Sequence, residues 1–83
     1  MNKNTLNEAI DLVLAGDWER GHDIVQQDES DAVACWIHAV IHKIEGDFSN
    51  AGYWYRKSGR LADMERETSD ELLEIKQFLE QKS

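Results

Sequence analysis

The sequence feature that most constrains the fold is a short pattern that occurs twice. It joins a glycine, an aspartate and an aromatic residue, as Gly16-Asp17-Trp18 and, 30 residues later, as Gly46-Asp47-Phe48. Glycine often ends a helix because it adopts left-handed backbone angles, and aspartate caps the start of the next helix. Small and large apolar residues follow at matching distances in both copies. The pattern predicts two antiparallel helical hairpins, over residues 5–28 and 31–59.

Composition supports an all-α fold built from these two hairpins. The 83 residues include no proline and only five glycines, and 41% of them are apolar. Such a chain has room for one small core. A last helix is predicted over residues 68–82, where it would close one end of the hairpins. We therefore expect a single all-α domain over 1–83, with residues 60–67 left open as a loop or a helical turn.

Two capping patterns and five apolar stripes define the expected helices more closely. Thr5 with Glu8, and Thr68 with Glu71, have the spacing of a capping box, in which each side chain bonds to the other residue's backbone amide. The apolar positions recur at helical spacing. The predicted core stripes are Leu6, Ile10, Val13 and Leu14; Trp18, Gly21 and Val25; Val33, Ile37, Val40, Ile41 and Ile44; Phe48, Ala51, Gly52 and Tyr55; and Leu72, Ile75, Phe78 and Leu79.

The second hairpin resembles one unit of the tetratricopeptide repeat. Phe48, Ala51, Tyr55 and Ser58 match the aromatic and small positions of that repeat's second helix, and Ala39 matches the small residue near the centre of its first helix. The resemblance implies stacked helical hairpins. Because such stacks need about three units to bury their faces, two units with a cap would leave an open edge for a partner or for a second copy of the chain.

A second, narrower resemblance covers about residues 15–60. Its core is the string Glu45-Gly46-Asp47-x-x-Asn50-Ala51-x-Tyr53-Trp54-Tyr55-Arg56, preceded by His42, by His22 and by Gly16-Asp17-Trp18. This string is similar to the signature of an uncharacterised family of small helical proteins. The resemblance implies no catalytic or binding role for any of these positions.

The distribution of charge limits the classes of partner. The net charge is −8, divided as −5 over residues 1–29, +1 over 30–60 and −4 over 61–83. Nonspecific binding to nucleic acid or to anionic membranes requires Lys and Arg to neutralise phosphates. We therefore expect no nucleic acid and no membrane among the partners.

One candidate binding surface lies on the predicted fourth helix and just after it. Exposed aromatic residues beside arginine are enriched at protein contacts. The candidate residues are Tyr53, Trp54, Arg56, Lys57 and Arg60. The leading functional prediction is thus a protein-interaction module that uses this surface, either for an unknown protein partner or for self-association. The alternative is that Trp54 packs on the predicted fifth helix and the other side chains are solvated.

A second candidate site is a stripe of metal-binding side chains on the predicted third helix. His38 and His42 are spaced i, i+4, so two imidazoles could meet one transition metal, and Cys35 lies one turn earlier. His22, on the neighbouring helix, could complete the set. The alternative function is therefore a metal-binding or histidine-switched protein. The competing interpretation is a polar helix–helix interface without metal.

The sequence carries no signature of an enzyme. It contains no nucleophile elbow, no glycine-rich phosphate loop and no H-E-x-x-H motif. We expect neither catalytic residues nor an organic cofactor. The longest nearly apolar run is about half of a membrane span, the first ten residues do not resemble a secretory signal, and the single cysteine fits a reducing compartment. The expected location is cytoplasmic.

Overall fold

The computed structural model describes residues 1–81 and contains five helices in that range. They are α1 (Lys3–Leu14), α2 (Trp18–Val25), α3 (Ala32–Glu45), α4 (Phe48–Ser58) and α5 (Thr68–Gln81). Helices α1 and α2 pack as one hairpin, α3 and α4 pack as another, and α3 also contacts α1, α2 and α5. The all-α prediction is confirmed. The last predicted helix extended to residue 82, which lies outside the described residues.

The Gly-Asp turns form as the sequence predicts. Gly46 ends α3 with a left-handed backbone (φ 81°), and Gly59 ends α4 in the same way (φ 77°). The carboxylates of Asp17 and Asp47 accept hydrogen bonds from backbone amides in the first turns of α2 and α4. Asp31 does the same for α3. Each reversal of the chain is therefore fixed by a cap, which sets how the two helices of a hairpin face each other.

Both predicted capping boxes are wrong. Helix α1 begins before Thr5, because the Asn2 side chain accepts a hydrogen bond from the Thr5 amide at 2.8 Å. At α5 the Glu67 carboxylate accepts hydrogen bonds from the Ser69 and Asp70 amides, both at 3.1 Å. Glu71 cannot serve as the predicted cap because its side chain turns inward and is buried.

Most of the predicted core is buried or partly buried, and the three exposed exceptions share a position. Leu14, Ile44 and Phe48 are 37%, 38% and 53% exposed. Each lies within two residues of Gly16 or Gly46, where the chain reverses and fewer neighbouring helices can cover a side chain. Burial was thus predicted well along the middle of each helix and wrongly at these three positions beside the turns.

Helices α1 and α2 approach each other closely at Gly21. A Cβ atom at this position would lie 2.5 Å from Val13 Cγ2 and 3.3 Å from the Ala9 carbonyl oxygen. No side chain fits there without displacing α1. The predicted role of Gly21 in a close helix crossing is confirmed.

Residues 59–67, between α4 and α5, are held by a buried polar cluster that we call the glutamate network. It consists of Trp36, Lys43, Tyr55 and Glu71, which are all buried. The Lys43 ammonium donates to Glu71 Oε1 at 2.6 Å and to the backbone carbonyls of Asp63 at 2.7 Å and Arg66 at 3.2 Å. The Lys43 side chain thereby orders a segment without regular structure.

The remaining contacts of the glutamate network converge on the Glu71 carboxylate. Tyr55 OH lies 2.8 and 2.7 Å from its two oxygens, and Trp36 Nε1 donates to Oε2 at 2.9 Å. Burial, followed by the hydrogen bond to Glu71, raises the pKa of the Tyr55 hydroxyl far above its usual range. Tyr55 therefore stays protonated and acts as a donor. The network joins α3, α4 and α5 with its charges paired.

None of the helices within residues 1–81 is both long enough and apolar enough to cross a membrane.

Candidate metal centre

Three histidines from two packed helices meet at one place, and we call them the histidine cluster. His38 and His42 lie one turn apart on α3, and His22 lies on α2. One ring nitrogen from each residue lies within 4.8 Å of the other two. The structure thus brings together all three histidines that the sequence proposed as ligands.

The histidine rings are arranged edge to face and stacked. His38 Nε2 lies 3.0 Å from His22 Nε2, so one nitrogen donates a hydrogen bond and the other accepts it. The rings of His22 and His38 are nearly perpendicular, at 87°, whereas those of His38 and His42 are nearly parallel, at 15°. Ligand nitrogens about 2.0 to 2.1 Å from a tetrahedral zinc ion lie roughly 3.4 Å apart. The His22–His38 pair is already close to this separation.

Two nitrogens of the histidine cluster are buried without a hydrogen-bond partner. They are the Nδ1 atoms of His38 and His42. His42 Nδ1 lies 3.0 Å from Glu45 Oε1, which is within ion-pair distance, but the two groups are not aligned as a hydrogen bond. Buried polar atoms are nearly always paired, so the histidine cluster has hydrogen-bonding capacity that the chain itself does not use.

Burial keeps His38 in its neutral form. The side chain is 3% exposed, and burial lowers the pKa of His38 to about 3, helped by the neighbouring His22, His42 and Lys57. A neutral imidazole has a free lone pair, which is the form that binds a metal. His38 is therefore available as a ligand at neutral pH without first losing a proton.

The Trp54 ring and a surface cleft both adjoin the histidine cluster. The Trp54 ring stacks on His38, with ring centroids 3.9 Å apart and planes 12° apart. A surface cleft of about 410 Å³ is lined by both His22 and His42. The other residues that line this cleft are Trp18, Glu19, Asp23 and Glu45. His38 and Trp54 are not among the residues that line this cleft.

Cys35 does not join the histidine cluster. Its thiol donates a hydrogen bond to the Glu29 carbonyl oxygen at 3.2 Å, and burial raises its pKa. The metal-ligating group found within residues 1–81 consists of the three histidines alone. Helical spacing placed Cys35 on the same stripe, but its side chain reaches the loop that precedes α3 instead.

The five residues of the predicted interaction surface do not form one patch. Tyr53, Trp54 and Lys57 lie together, with the Lys57 ammonium 5.8 Å from the Tyr53 ring centroid and 5.2 Å from that of Trp54. We call these three residues the aromatic patch. The Arg60 guanidinium instead lies 3.9 Å from the Trp36 ring centroid and 4.7 Å from that of Phe78.

Arg56 is exposed but lies outside the aromatic patch, whereas Trp54 is only partly exposed. Arg56 is exposed, and its guanidinium lies near Gly52, beside Met64. Trp54 is only partly buried by its contact with His38, so the aromatic patch and the histidine cluster share a side chain.

The sequence analysis did not identify Glu19 and Asp23, two of the three acidic residues of the cleft. Glu19 lies one helical turn before His22, and Asp23 follows it directly. The spacing of Glu19 from His22 was the available signal, because residues three apart share one helix face.

Comparisons with protein-family models, with curated proteins and with solved structures each found no match.

Proposed function

We propose that this protein binds one divalent transition metal ion of the zinc type through His22, His38 and His42. The observation that carries the proposal is the convergence of three imidazole nitrogens, from two helices, within 4.8 Å. Imidazole is a preferred ligand of zinc, copper, nickel and iron, whereas magnesium and calcium prefer oxygen ligands. This site therefore suits a transition metal rather than a hard cation.

The contacts of the ring nitrogens are compatible with the proposal. In the metal-free protein His22 and His38 share one hydrogen bond through their Nε2 atoms. A metal ion that takes both lone pairs would replace that bond and leave a proton on Nδ1 of each ring. At His42 the Nδ1 proton would face the Glu45 carboxylate, 3.0 Å away. Carboxylates in this position orient metal-bound histidines and raise their basicity.

The test is a metal titration of untagged protein against a chromophoric chelator. We expect wild-type protein to remove one equivalent of Zn²⁺. Each of His22→Gln, His38→Gln and His42→Gln should weaken binding by more than about 100-fold, because loss of a ligand exceeds the 10- to 100-fold cost of losing an outer-shell partner. Cys35→Ser is the matched control, since this buried side chain lies outside the histidine cluster.

Two results would contradict the proposal. One is wild-type protein that takes up no stoichiometric metal, and the other is three histidine variants that bind as tightly as Cys35→Ser. Circular dichroism on each variant separates lost binding from lost folding. His42→Gln should disturb folding less than His38→Gln, because the His42 side chain is more accessible than that of His38. It is therefore the clearer test of metal binding.

A second candidate function is a protein-interaction module that uses the aromatic patch, and it rests on a different observation. Tyr53 is 45% exposed, beside the Lys57 side chain and the partly buried Trp54. Aromatic side chains ordered in this way lose little entropy on binding a partner. The tetratricopeptide-like open edge remains a prediction that favours an unknown protein or a second copy of this chain.

The second candidate is tested by Tyr53→Ala and Lys57→Glu. We expect these changes to alter the oligomeric state in native mass spectrometry or the partners recovered by affinity capture. If neither readout changes, the aromatic patch is not a binding surface. Arg60→Glu serves as the control, because Arg60 packs over Trp36 and Phe78 instead.

We propose a cytoplasmic setting and no catalytic activity for either function. The cytoplasmic location rests on the single cysteine, which suits a reducing compartment. The non-catalytic role rests on the absence of a catalytic motif from the sequence, and neither nucleic acid nor a membrane is among the proposed partners.

A further inference from the structure

The position of the cleft determines what a bound ion would face beyond its three histidines. His38 is 3% exposed and is covered by the Trp54 ring, so the protein closes the site on that side. His22 and His42 both line the cleft, which has a volume of about 410 Å³. The side of the ion away from His38 would therefore be open to solvent.

No carboxylate within residues 1–81 is placed as a fourth ligand. Three acidic residues line the cleft, but the group of mutually close ligand atoms contains only the histidines. The nearest carboxylate oxygen to His42, on Glu45, faces Nδ1 of the ring at 3.0 Å. A metal site with three protein ligands keeps its fourth position for water or for an external ligand.

From these observations we infer that the metal centre keeps an exchangeable fourth position on the cleft side, and that this position takes a neutral oxygen or nitrogen donor such as water or an imidazole ring. The inference rests on the proposed metal-binding function.

The preference for a neutral ligand follows from the charge of the cleft. Glu19, Asp23 and Glu45 line it without any lysine or arginine. An anion that approaches the metal must pass these carboxylates, whereas water or imidazole meets no such repulsion. The acidic lining would also raise the local concentration of metal cations.

The experiment uses Co²⁺, whose visible absorption reports the number and type of its ligands. We expect Co²⁺-loaded wild-type protein to change its spectrum saturably with imidazole, and with azide only at higher concentration. Native mass spectrometry checks that imidazole adds to the metal centre and does not remove the ion.

Two double variants with the same change in net charge isolate the effect of the cleft. Glu19→Gln/Asp23→Asn should strengthen azide binding by about tenfold, as expected for two exposed charges beside the metal, and leave imidazole binding unchanged. Glu65→Gln/Asp70→Asn changes two exposed carboxylates outside the cleft and should leave both ligands as in wild type.

The outcomes separate the inference from the function beneath it. A wild-type protein that takes up no Co²⁺ overturns both. If the protein binds Co²⁺ but neither imidazole nor azide changes the spectrum, the metal has a fourth protein ligand. This result overturns the exchangeable position, while the metal-binding function stands. Azide that binds wild type as tightly as imidazole overturns the neutral-ligand preference.

Discussion

The histidine cluster and the glutamate network both include buried polar side chains of α3, yet they differ in how completely their atoms are paired. In the glutamate network the Glu71 carboxylate receives hydrogen bonds from Trp36, Lys43 and Tyr55. In the histidine cluster two Nδ1 atoms have no hydrogen-bond partner. A saturated network fixes one arrangement of helices, whereas an unsaturated cluster retains capacity for a ligand. The difference is what we expect between a network with a structural role and a cluster for which we propose a binding role.

The largest effect is expected from removing the charge at the centre of the glutamate network. Glu71→Gln leaves the Lys43 ammonium buried without a counter-charge, which should lower the free energy of unfolding by about 3 to 5 kcal/mol. Urea denaturation measures the loss. Glu74→Gln is the control, because Glu74 pairs with Arg66 at the surface and should cost less than about 1 kcal/mol. If both variants lose the same free energy of unfolding, the glutamate network does not have the structural role assigned to it.

The next effect concerns the histidine cluster alone. Free Zn²⁺ at 100 times its dissociation constant should raise the free energy of unfolding by about 2.7 kcal/mol, because the metal binds the folded state. His42→Gln should show no such gain, whereas Tyr55→Phe, which changes the glutamate network, should show all of it. Thermal or urea unfolding with Zn²⁺ and with chelator makes the measurement. If Zn²⁺ stabilises the His42→Gln protein by the same amount, the metal binds outside the histidine cluster.

Acid should weaken the metal-free protein through His38. The pKa of His38 is lowered to about 3 in the folded protein, by burial and then by His22, His42 and Lys57. The unfolded chain takes up the proton near pH 6.5 and the folded protein does not, so this contribution is lost as pH falls below that value.

Comparison with His38→Gln isolates the acid effect. Between pH 7.5 and pH 4.5 wild type should lose about 2.5 kcal/mol more of its free energy of unfolding than this variant does. Urea denaturation at the two pH values in the presence of chelator makes the comparison. Parallel pH profiles for the two proteins would show that His38 binds a proton in the folded state as readily as in the unfolded one.

The smallest effect compares one neutral side chain from each group in metal-free protein. Tyr55→Phe removes a hydroxyl that bonds to the Glu71 carboxylate and should cost about 2 kcal/mol. His42→Gln removes a ring with an unpaired nitrogen and a partly exposed ion-pair contact, and should cost less than about 1 kcal/mol. Urea denaturation ranks the two. The reverse order would contradict the assignment of structural and binding roles.

Local patterns predicted the fold well because they depend on residues near in sequence. The Gly-Asp pairs mark both hairpin turns, since glycine adopts the left-handed angle and aspartate caps the following helix. Helical spacing also identified most of the buried stripes. It failed at Phe48, where the period of the helix is right but the end of the helix has too few neighbours to cover the ring.

The candidate site was only partly predictable, because spacing gives the face of a helix and not what lies opposite it. His38 and His42 could be paired from their i, i+4 spacing, while His22 needed the packing of α2 on α3 to join them. Cys35 shares their stripe but bonds to the Glu29 carbonyl oxygen. Glu71 fits a local capping pattern, and a lysine 28 residues earlier determines its actual role.

The glutamate network also bears on the order in which the chain acquires its structure during synthesis. Its members come from positions 36, 43, 55 and 71, so the carboxylate that completes it is made last. Until residue 71 has left the ribosome, the Lys43 ammonium has no counter-charge and must remain hydrated. The α3–α4 hairpin can form earlier from its local contacts, but the surface that later contacts α5 remains exposed to solvent. Docking of α5 is thus the step at which the Lys43 ammonium exchanges this water for the Glu71 carboxylate.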